Sequence, residues 1–466
     1  MKVVVAPWGN PTKWKKVPYA YNGQKEEFRS SLAMIEKKEN PDKVIIVTVD
    51  TLVDDGIASV KISSYNDIKK WIIDLILDFC QKELNNFTPE KIIVSYGFGE
   101  FTYTKFIGNA VDFYYHTLKE LALLFADSLP EKNEKIEVIF DATHGINYTT
   151  ILTYRALRDI VEILAYVYDV NLKVLNSDPL IGRETKVDKL NINIIEESKI
   201  LPKIAVYKSD ERPVEPYFLL GNEVKSEIGP KIGKFISQID FNRNKSKIYI
   251  FLGSFLYALP VFILSYMINS LELKNMIEKI AEEFENNIEL KNSGKLEIIR
   301  NWEYRENFAN LIKAYLVSLI LEKFGFNRLD DIPLSKIEEL KEKFYKKFPI
   351  ESNRIDVEIG SEEEKKGIKG IKEKLTNEYR LYYEIVREKE KAEEKEEERE
   401  KEDRGLDKRV FFAHAGFPYN VIELKSENDE IYIRIYENNR EEAGKLIINS
   451  LPQTTKEQKK WTGNLN

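Results

Sequence analysis

The sequence is short of the residues that most often announce a site. Among 466 residues there is one cysteine, Cys80, and there are three histidines, His116, His144 and His414. A lone cysteine excludes an internal disulfide and any cysteine-based metal centre. The first apolar run is not followed by GxGxxG, and GxxxxGK[ST] is missing, which argues against NAD binding and against P-loop ATP hydrolysis. Excess basic charge is absent too. The net charge of −7 argues against a broad, nonspecific grip on nucleic acid and leaves room for a local basic pocket. Methionine is scarce, at four residues, while Lys and Glu abound, a balance that fits a hot-living organism.

What is present can fold. An apolar fraction of 43 % over this length is enough for two or three domains. The opening MKVVVAPWGNP is too short an apolar run for a secretory signal and reads as a buried strand. One stretch, from Ile248 to Asn269, carries no charge and has the length of a bilayer span. Pro260 interrupts it, Ser and Tyr are spread along it, and charged amphipathic segments flank it. It reads as buried helix, in a helical domain or at a subunit interface, with no membrane association and a cytoplasmic location.

The first half alternates apolar runs with helical stretches. Strands are expected at Lys2–Ala6, Val44–Val49, Lys91–Tyr96, Ile136–Phe140 and Leu172–Asn176. Helices are expected near Phe28–Lys38, Asn66–Leu84, Gly108–Ser128 and Tyr148–Tyr168. Continuous apolar strands spaced by helices mark a parallel sheet covered on both faces, a Rossmann-like α/β domain over residues 1–207. Ile192–Ile195 and Lys203–Tyr207 read as an added hairpin. Residues 208–245, with three prolines, read as a connection. Residues 246–466 read as an all-α domain, with amphipathic helices at Leu271–Glu289 and Tyr304–Phe324, a short strand-like run at Ile431–Tyr436 and a helix at Arg440–Leu451. Within it, the charged region 334–404 reads as a long solvated helix or mobile insertion.

Ligands of doubly wound sheets bind beyond the carboxyl ends of the strands. Three unusual loops fall there: Pro7-Trp8-Gly9-Asn10-Pro11 with Trp14 close behind, Ser95-Tyr96-Gly97-Phe98-Gly99-Glu100, and Asp141-Ala142-Thr143-His144-Gly145-Ile146-Asn147-Tyr148. Glycines bring backbone N–H groups close to a ligand, and a helix start favours phosphate. Thr143, His144 and Asn147 offer hydrogen bonds, and Trp8, Trp14 and Tyr148 offer stacking faces. One such loop is most simply a turn and a helix cap. Three at one sheet edge describe a nucleotide pocket. His116 lies within an amphipathic helix and reads as structural.

The second candidate is Arg409-Val-Phe-Phe-Ala-His414, just past a run of sixteen charges in seventeen residues, Glu388 to Arg404. RNA carries its own nucleophile, the ribose 2′-OH. A histidine can move the protons and an arginine can hold the scissile phosphate, so cleavage to a 2′,3′-cyclic phosphate needs no metal. Two residues five positions apart at a helix start lie about 1.4 turns apart and do not share one exact face. The pair converges if the turn is loose, or if a symmetry mate supplies a second pair. Taken alone, R-x4-H is most simply a core histidine.

Together the two halves resemble a known family. R-x4-H followed by small residues, Ala415 and Gly416, is similar to the active-site motif of HEPN ribonucleases, although Val410 stands where a polar residue is common. Asp141-Ala-Thr-His-Gly-Ile-Asn147 after a strand looks like a CARF domain. The order CARF then HEPN is that of the ancillary ribonucleases of type III CRISPR–Cas systems, Csx branch. The resemblance implies a homodimer or higher homo-oligomer without metal cofactor. A cyclic oligoadenylate, cyclic tetra-adenylate by first choice, would bind the paired CARF domains. Binding would activate nonspecific cleavage of single-stranded RNA. On this resemblance Asn10, Trp14, Ser95, Thr143, His144, Gly145 and Asn147 are ligand contacts, and Arg409 and His414 are catalytic. A CARF-type transcription regulator without catalysis is the alternative; no basic recognition helix supports it.

Overall fold

The computed structural model describes residues 1–59, 61–84, 87–132, 134–180, 187–387 and 406–454. The chain divides into two compact units, interleaved along the sequence. One comprises Met1–Lys203, Glu211–Ile239 and Met276–Ile312; the other comprises Ile204–Asp210, Asp240–Asn275 and Lys313–Asn466.

The first unit is built on an eight-stranded sheet. Its strands are β1 (Lys2–Pro7), β2 (Val17–Tyr21), β3 (Gln24–Phe28), β4 (Lys43–Val49), β5 (Lys91–Ser95), β6 (Lys135–Asp141), β7 (Asp169–Ser177) and β8 (Leu190–Lys199). They lie in the order β3-β2-β8-β7-β6-β1-β4-β5. The run β7-β6-β1-β4-β5 is parallel, with Val4 of β1 in register with Val44 on one side and Ile139 on the other. Val3 to Pro7 are buried without interruption, as a strand covered on both faces requires. The helices are α1 (Ser31–Glu39), α2 (Tyr65–Glu83), α3 (Asp112–Ala126) and α4 (Asn147–Leu164). In α2 the buried Ile68, Ile72 and Ile76 recur every four residues behind a Ser64/Asp67 capping box.

All five expected strands form. The added hairpin does not: β8 turns back antiparallel on β7, and Lys203–Tyr207 is no strand. The β2–β3 hairpin was not foreseen, because its second strand, QKEEF, has four polar residues in five. The chain leaves β1 toward β4 and later returns to β6 on the other side of β1. That reversal opens a crevice at the carboxyl ends of β1 and β6.

Residues 208–245 are not merely a connection. They hold the strand Val214–Pro216 and helix α5 (Asn222–Gln238). The buried Ile228, Ile232 and Ile236, four apart on one face, outweigh the one backbone bond that Pro230 forgoes. The first unit thus extends past residue 207. Val214–Pro216 pairs with Trp302–Tyr304, and Leu296–Arg300 pairs in parallel with Thr104–Ile107.

The second unit is mainly helical. The uncharged stretch becomes two helices, α6 (Phe241–Leu256) and α7 (Pro260–Tyr266), with Pro260 in the first turn of α7, where a missing N–H costs nothing. Phe251, Leu252, Phe255, Val261 and Phe262 are fully buried. Among the described residues no helix is long and apolar enough to cross a membrane. The expected amphipathic helices form as α8 (Ser270–Asn286) and α9 (Glu306–Lys323), but they do not belong to the second unit alone: the boundaries at Asn275/Met276 and Ile312/Lys313 fall within them.

The described part of 334–404 is helical but is not one long solvated helix. It breaks into α10 (Leu334–Leu340), a π turn, α11 (Pro349–Ile359), a 3₁₀ segment and α12 (Tyr382–Arg387). Leu334, Ile337, Leu340, Phe344, Ile355, Ile359 and Ile385 bury an apolar face that Lys and Glu conceal in the sequence. Residues 388–404 lie outside the described residues. The unit ends with α13 (Lys408–Ala413) and α14 (Glu437–Ser450), and it carries a small antiparallel sheet in which Ile422–Glu427 and Glu430–Ile435 pair.

Candidate functional site

Each unit presents one set of candidate residues. In the first, the loops after β1 and β6 meet at the crevice: the Gly9 N–H donates to the His144 carbonyl at 2.9 Å. Trp14 stacks on the His144 ring at 3.9 Å between centroids, 24° between planes, and meets Trp8 and Phe79 edge-on. His144 Nε2 lies 3.3 Å from both the Ser31 N–H and the Tyr19 hydroxyl. An N–H donor requires that Nε2 accept, and burial lowers the His144 pKa to about 4, so the ring is neutral.

The neighbours are held by their own bonds. Asp141 accepts from the Thr143 N–H at 3.1 Å and from the Ser31 hydroxyl at 2.7 Å. Thr143 Oγ1 accepts from the Ser177 N–H at 3.1 Å. Asn10 accepts from the Thr12 N–H at 3.0 Å and donates to Asp55 at 2.6 Å. Gly145 is closely packed: a Cβ there would lie 1.9 Å from the Thr150 hydroxyl, so a larger residue would force Thr150 to move. Asn147 opens α4 exposed, at φ +27°, and its side chain makes no hydrogen bond among the described residues. Asn10, Trp14, Thr143, His144, Gly145 and Asn147 therefore line one sheet edge.

Ser95 does not join them. It is fully buried, donating to the Phe113 carbonyl at 3.1 Å and lying 3.2 Å from His116 Nδ1 and from the Thr117 hydroxyl. The loop beyond it is braced instead by Arg300, buried with Asp50 at 3.0 Å and donating to the Gly97 carbonyl, while the Gly97 N–H donates to Asp50 at 2.7 Å. Burial pushes the Asp50 carboxyl up, opposed first by the Arg300 charge. Tyr19 and Arg300 were not singled out from the sequence; Arg300 lies 250 positions from Asp50, and no local pattern links them.

In the second unit α13 carries the Arg–His pair. Asp407 caps it, accepting from the Val410 N–H at 2.9 Å, and Phe411 anchors it, fully buried against Phe262. The helix stops at His414. Ala415 and Gly416 take φ +49° and +79°, and the Gly416 N–H returns to the Phe411 carbonyl at 3.0 Å. Arg409 is exposed on α13, and His414 is half-exposed.

Two residues of α11, one turn apart, hold this end. Arg354 donates to the Phe412 carbonyl at 2.8 Å, and Glu358, nearly buried, lies 2.8 Å from His414 Nδ1. Burial raises the Glu358 carboxyl, and His414 draws it back. Nδ1 is engaged, so the other ring nitrogen is left for a substrate. Glu358 lies in the charged stretch that the sequence left without a role. A cleft of about 690 Å³ opens beside His414, lined also by Tyr383, Phe417, Tyr419, Asn438 and Asn439.

Residues 3–179 match the family model of the CARF domain of the CRISPR system endoribonuclease Csx1, and residues 348–439 match that of its HEPN domain. The chain is 33 % identical over 442 residues to the CRISPR system endoribonuclease Csx1 of Methanocaldococcus jannaschii, covering 91 % of this chain and 86 % of that protein. A two-loop crevice on a parallel sheet thus falls in the CARF match, and the His414–Glu358 pair falls in the HEPN match. The protein belongs to the family of CRISPR-associated Csx1 endoribonucleases.

Proposed function

We propose that the protein is a metal-independent endoribonuclease of antiviral CRISPR defence, switched on in the cytoplasm by a cyclic oligoadenylate, cyclic tetra-adenylate first. It cuts single-stranded RNA without sequence specificity. The observation that carries the reading is His414: half-exposed, tied at Nδ1 to Glu358, and on the same short helix segment as an exposed Arg409.

In this reading the ribose 2′-oxygen attacks the adjacent phosphorus as its proton passes to an imidazole. The bond from phosphorus to O5′ breaks, and O5′ takes a proton. The products are a 2′,3′-cyclic phosphate and a 5′-OH. His414 handles a proton at its free ring nitrogen. Glu358 fixes the ring and steadies its positive charge. Arg409 holds the phosphate, whose charge grows in the transition state.

Two protons must move, so two chains each bring one Arg–His pair, in a homodimer. Exposed Phe98, Tyr103, Ile146 and Ile151 give the CARF unit an apolar surface for pairing. The activator lies in the β1–β6 crevice, against Trp14, His144, Gly145 and Asn147. The regulator alternative has no place for the His414–Glu358 pair.

The test is cleavage of a fluorescent single-stranded RNA with and without cyclic oligoadenylates of several ring sizes. Cyclic tetra-adenylate should stimulate cleavage, and EDTA should not abolish it. His414→Ala and Arg409→Ala should each lose at least about 100-fold in rate, with activator binding intact. Stimulated cleavage surviving in His414→Ala would overturn the assignment.

A further inference from the structure

We propose that the cleft beside His414 is a nucleobase subsite, in which a base of the RNA next to the scissile phosphate stacks on Tyr419. This deepens the ribonuclease reading above and rests on it. The cleft, about 690 Å³, has room for a nucleotide.

The platform is prepared in advance. Tyr419 is 49 % exposed, yet it is fixed from behind. Its ring meets that of the buried Tyr382 edge-on at 4.7 Å, and its carbonyl accepts from the Tyr383 N–H at 2.9 Å. A large aromatic face held still in solvent loses little entropy when a base covers it.

The polar wall is chosen as well. Asn438 donates its amide N–H to the Tyr436 hydroxyl at 2.7 Å, and Asn439 donates to the Asn420 carbonyl at 2.8 Å. Each amide keeps its oxygen and its second N–H, so the pair offers acceptors and donors to the edge of a base. Arg387, stacked over the Tyr383 ring at 4.2 Å, lines the same cleft and adds positive charge to it. Stacking faces, amide groups and one cation form the usual chemistry for an unpaired nucleotide. A paired base cannot splay onto Tyr419, so the cleft also selects single strands.

Tyr419 is a binding residue; no proton transfer is assigned to it. The test uses the full chain with its activator. The substrates are RNA oligonucleotides with one cleavable linkage, carrying either a normal or an abasic nucleotide on each side of it. In the wild type, removing the base on one side should raise KM about 10-fold, within the range of roughly 5- to 150-fold that stacking of one base supplies, with kcat moving far less. Tyr419→Ala should show the raised KM on normal RNA and no further abasic penalty, whereas Tyr419→Phe and Tyr419→Trp should behave as wild type.

The proposal fails if the abasic penalty is undiminished in Tyr419→Ala, or if Tyr419→Phe is as impaired as Tyr419→Ala. A direct readout covers any folding defect. 2-Aminopurine RNA bound to His414→Ala should be quenched, and the quench should persist with Tyr419→Phe added and vanish with Tyr419→Ala added. An unchanged quench overturns the subsite by itself. If the wild type cleaves no RNA with any cyclic oligoadenylate, the ribonuclease reading falls, and the quench then shows separately whether the cleft binds bases.

Discussion

The three histidines sit in three environments, and exposure separates their uses. His116 is buried, 3.2 Å from Ser95 and 3.8 Å from Glu120, and burial first of all lowers its pKa to about 4. His144 is lowered to about 4 as well, by burial. Both rings are neutral in the folded protein and charge readily once unfolded, near pH 6.5. The unfolded chain therefore binds more protons between pH 6.5 and 4, and the stability that each site holds above pH 6.5 drains away as the pH falls through that window. Going from pH 7 to pH 5 should cost about 2 kcal/mol per histidine. Thermal melts at both pH values should show a smaller acid drop for His116→Gln than for the wild type. An equal drop would remove His116 from this account.

At the scale of elements, α13 is too short to stand by itself: six residues make an unstable helix in water. It exists because Asp407 caps its start, Phe411 plugs it into the core and Arg354 takes up a carbonyl at its end. Asp407→Ala should cost about 1 kcal/mol in a denaturant titration. Arg354→Ala should cut RNA cleavage at least about 10-fold at an unchanged circular dichroism spectrum; full activity would show that the α11 hold is dispensable.

The same elements show what was legible in the sequence. The parallel strands were plain, because a strand buried on both faces must be apolar throughout. The crevice loops were plain, because glycine and small polar residues cluster there. Ser95 was misplaced, since a serine at a strand end looks like a loop residue until α3 packs over it. Glu358 was invisible: it is one of many glutamates, and its partner lies 56 positions away. Helix α5 hid behind Pro230, although its isoleucines at every fourth position could have revealed it.

At the scale of the whole molecule, the units are interlaced along one chain, and Arg300 shows why that matters. Asp50 is fully buried and has Arg300 as its counter-charge, on a strand that joins the CARF unit from far along the sequence. Removing one partner of a buried pair costs about 3–5 kcal/mol. A fragment ending at residue 207 lacks Arg300, the partner strand of Thr104–Ile107 and the Tyr304 N–H that Asp112 accepts. It should show no cooperative melt, and Arg300→Ala should destabilise the full chain by a similar few kcal/mol. A melt of the fragment as sharp and as high as that of the intact protein would refute this. The order of synthesis adds a further consequence. The unit that holds the crevice cannot be completed until residue 312 has left the ribosome, and the unit that holds His414 needs the chain beyond that point. Every newly made molecule therefore has all the chain of the part that would be controlled by ligand before it has all the chain of the part that would cut, and no translation intermediate carries His414 without residues 1–312 already made.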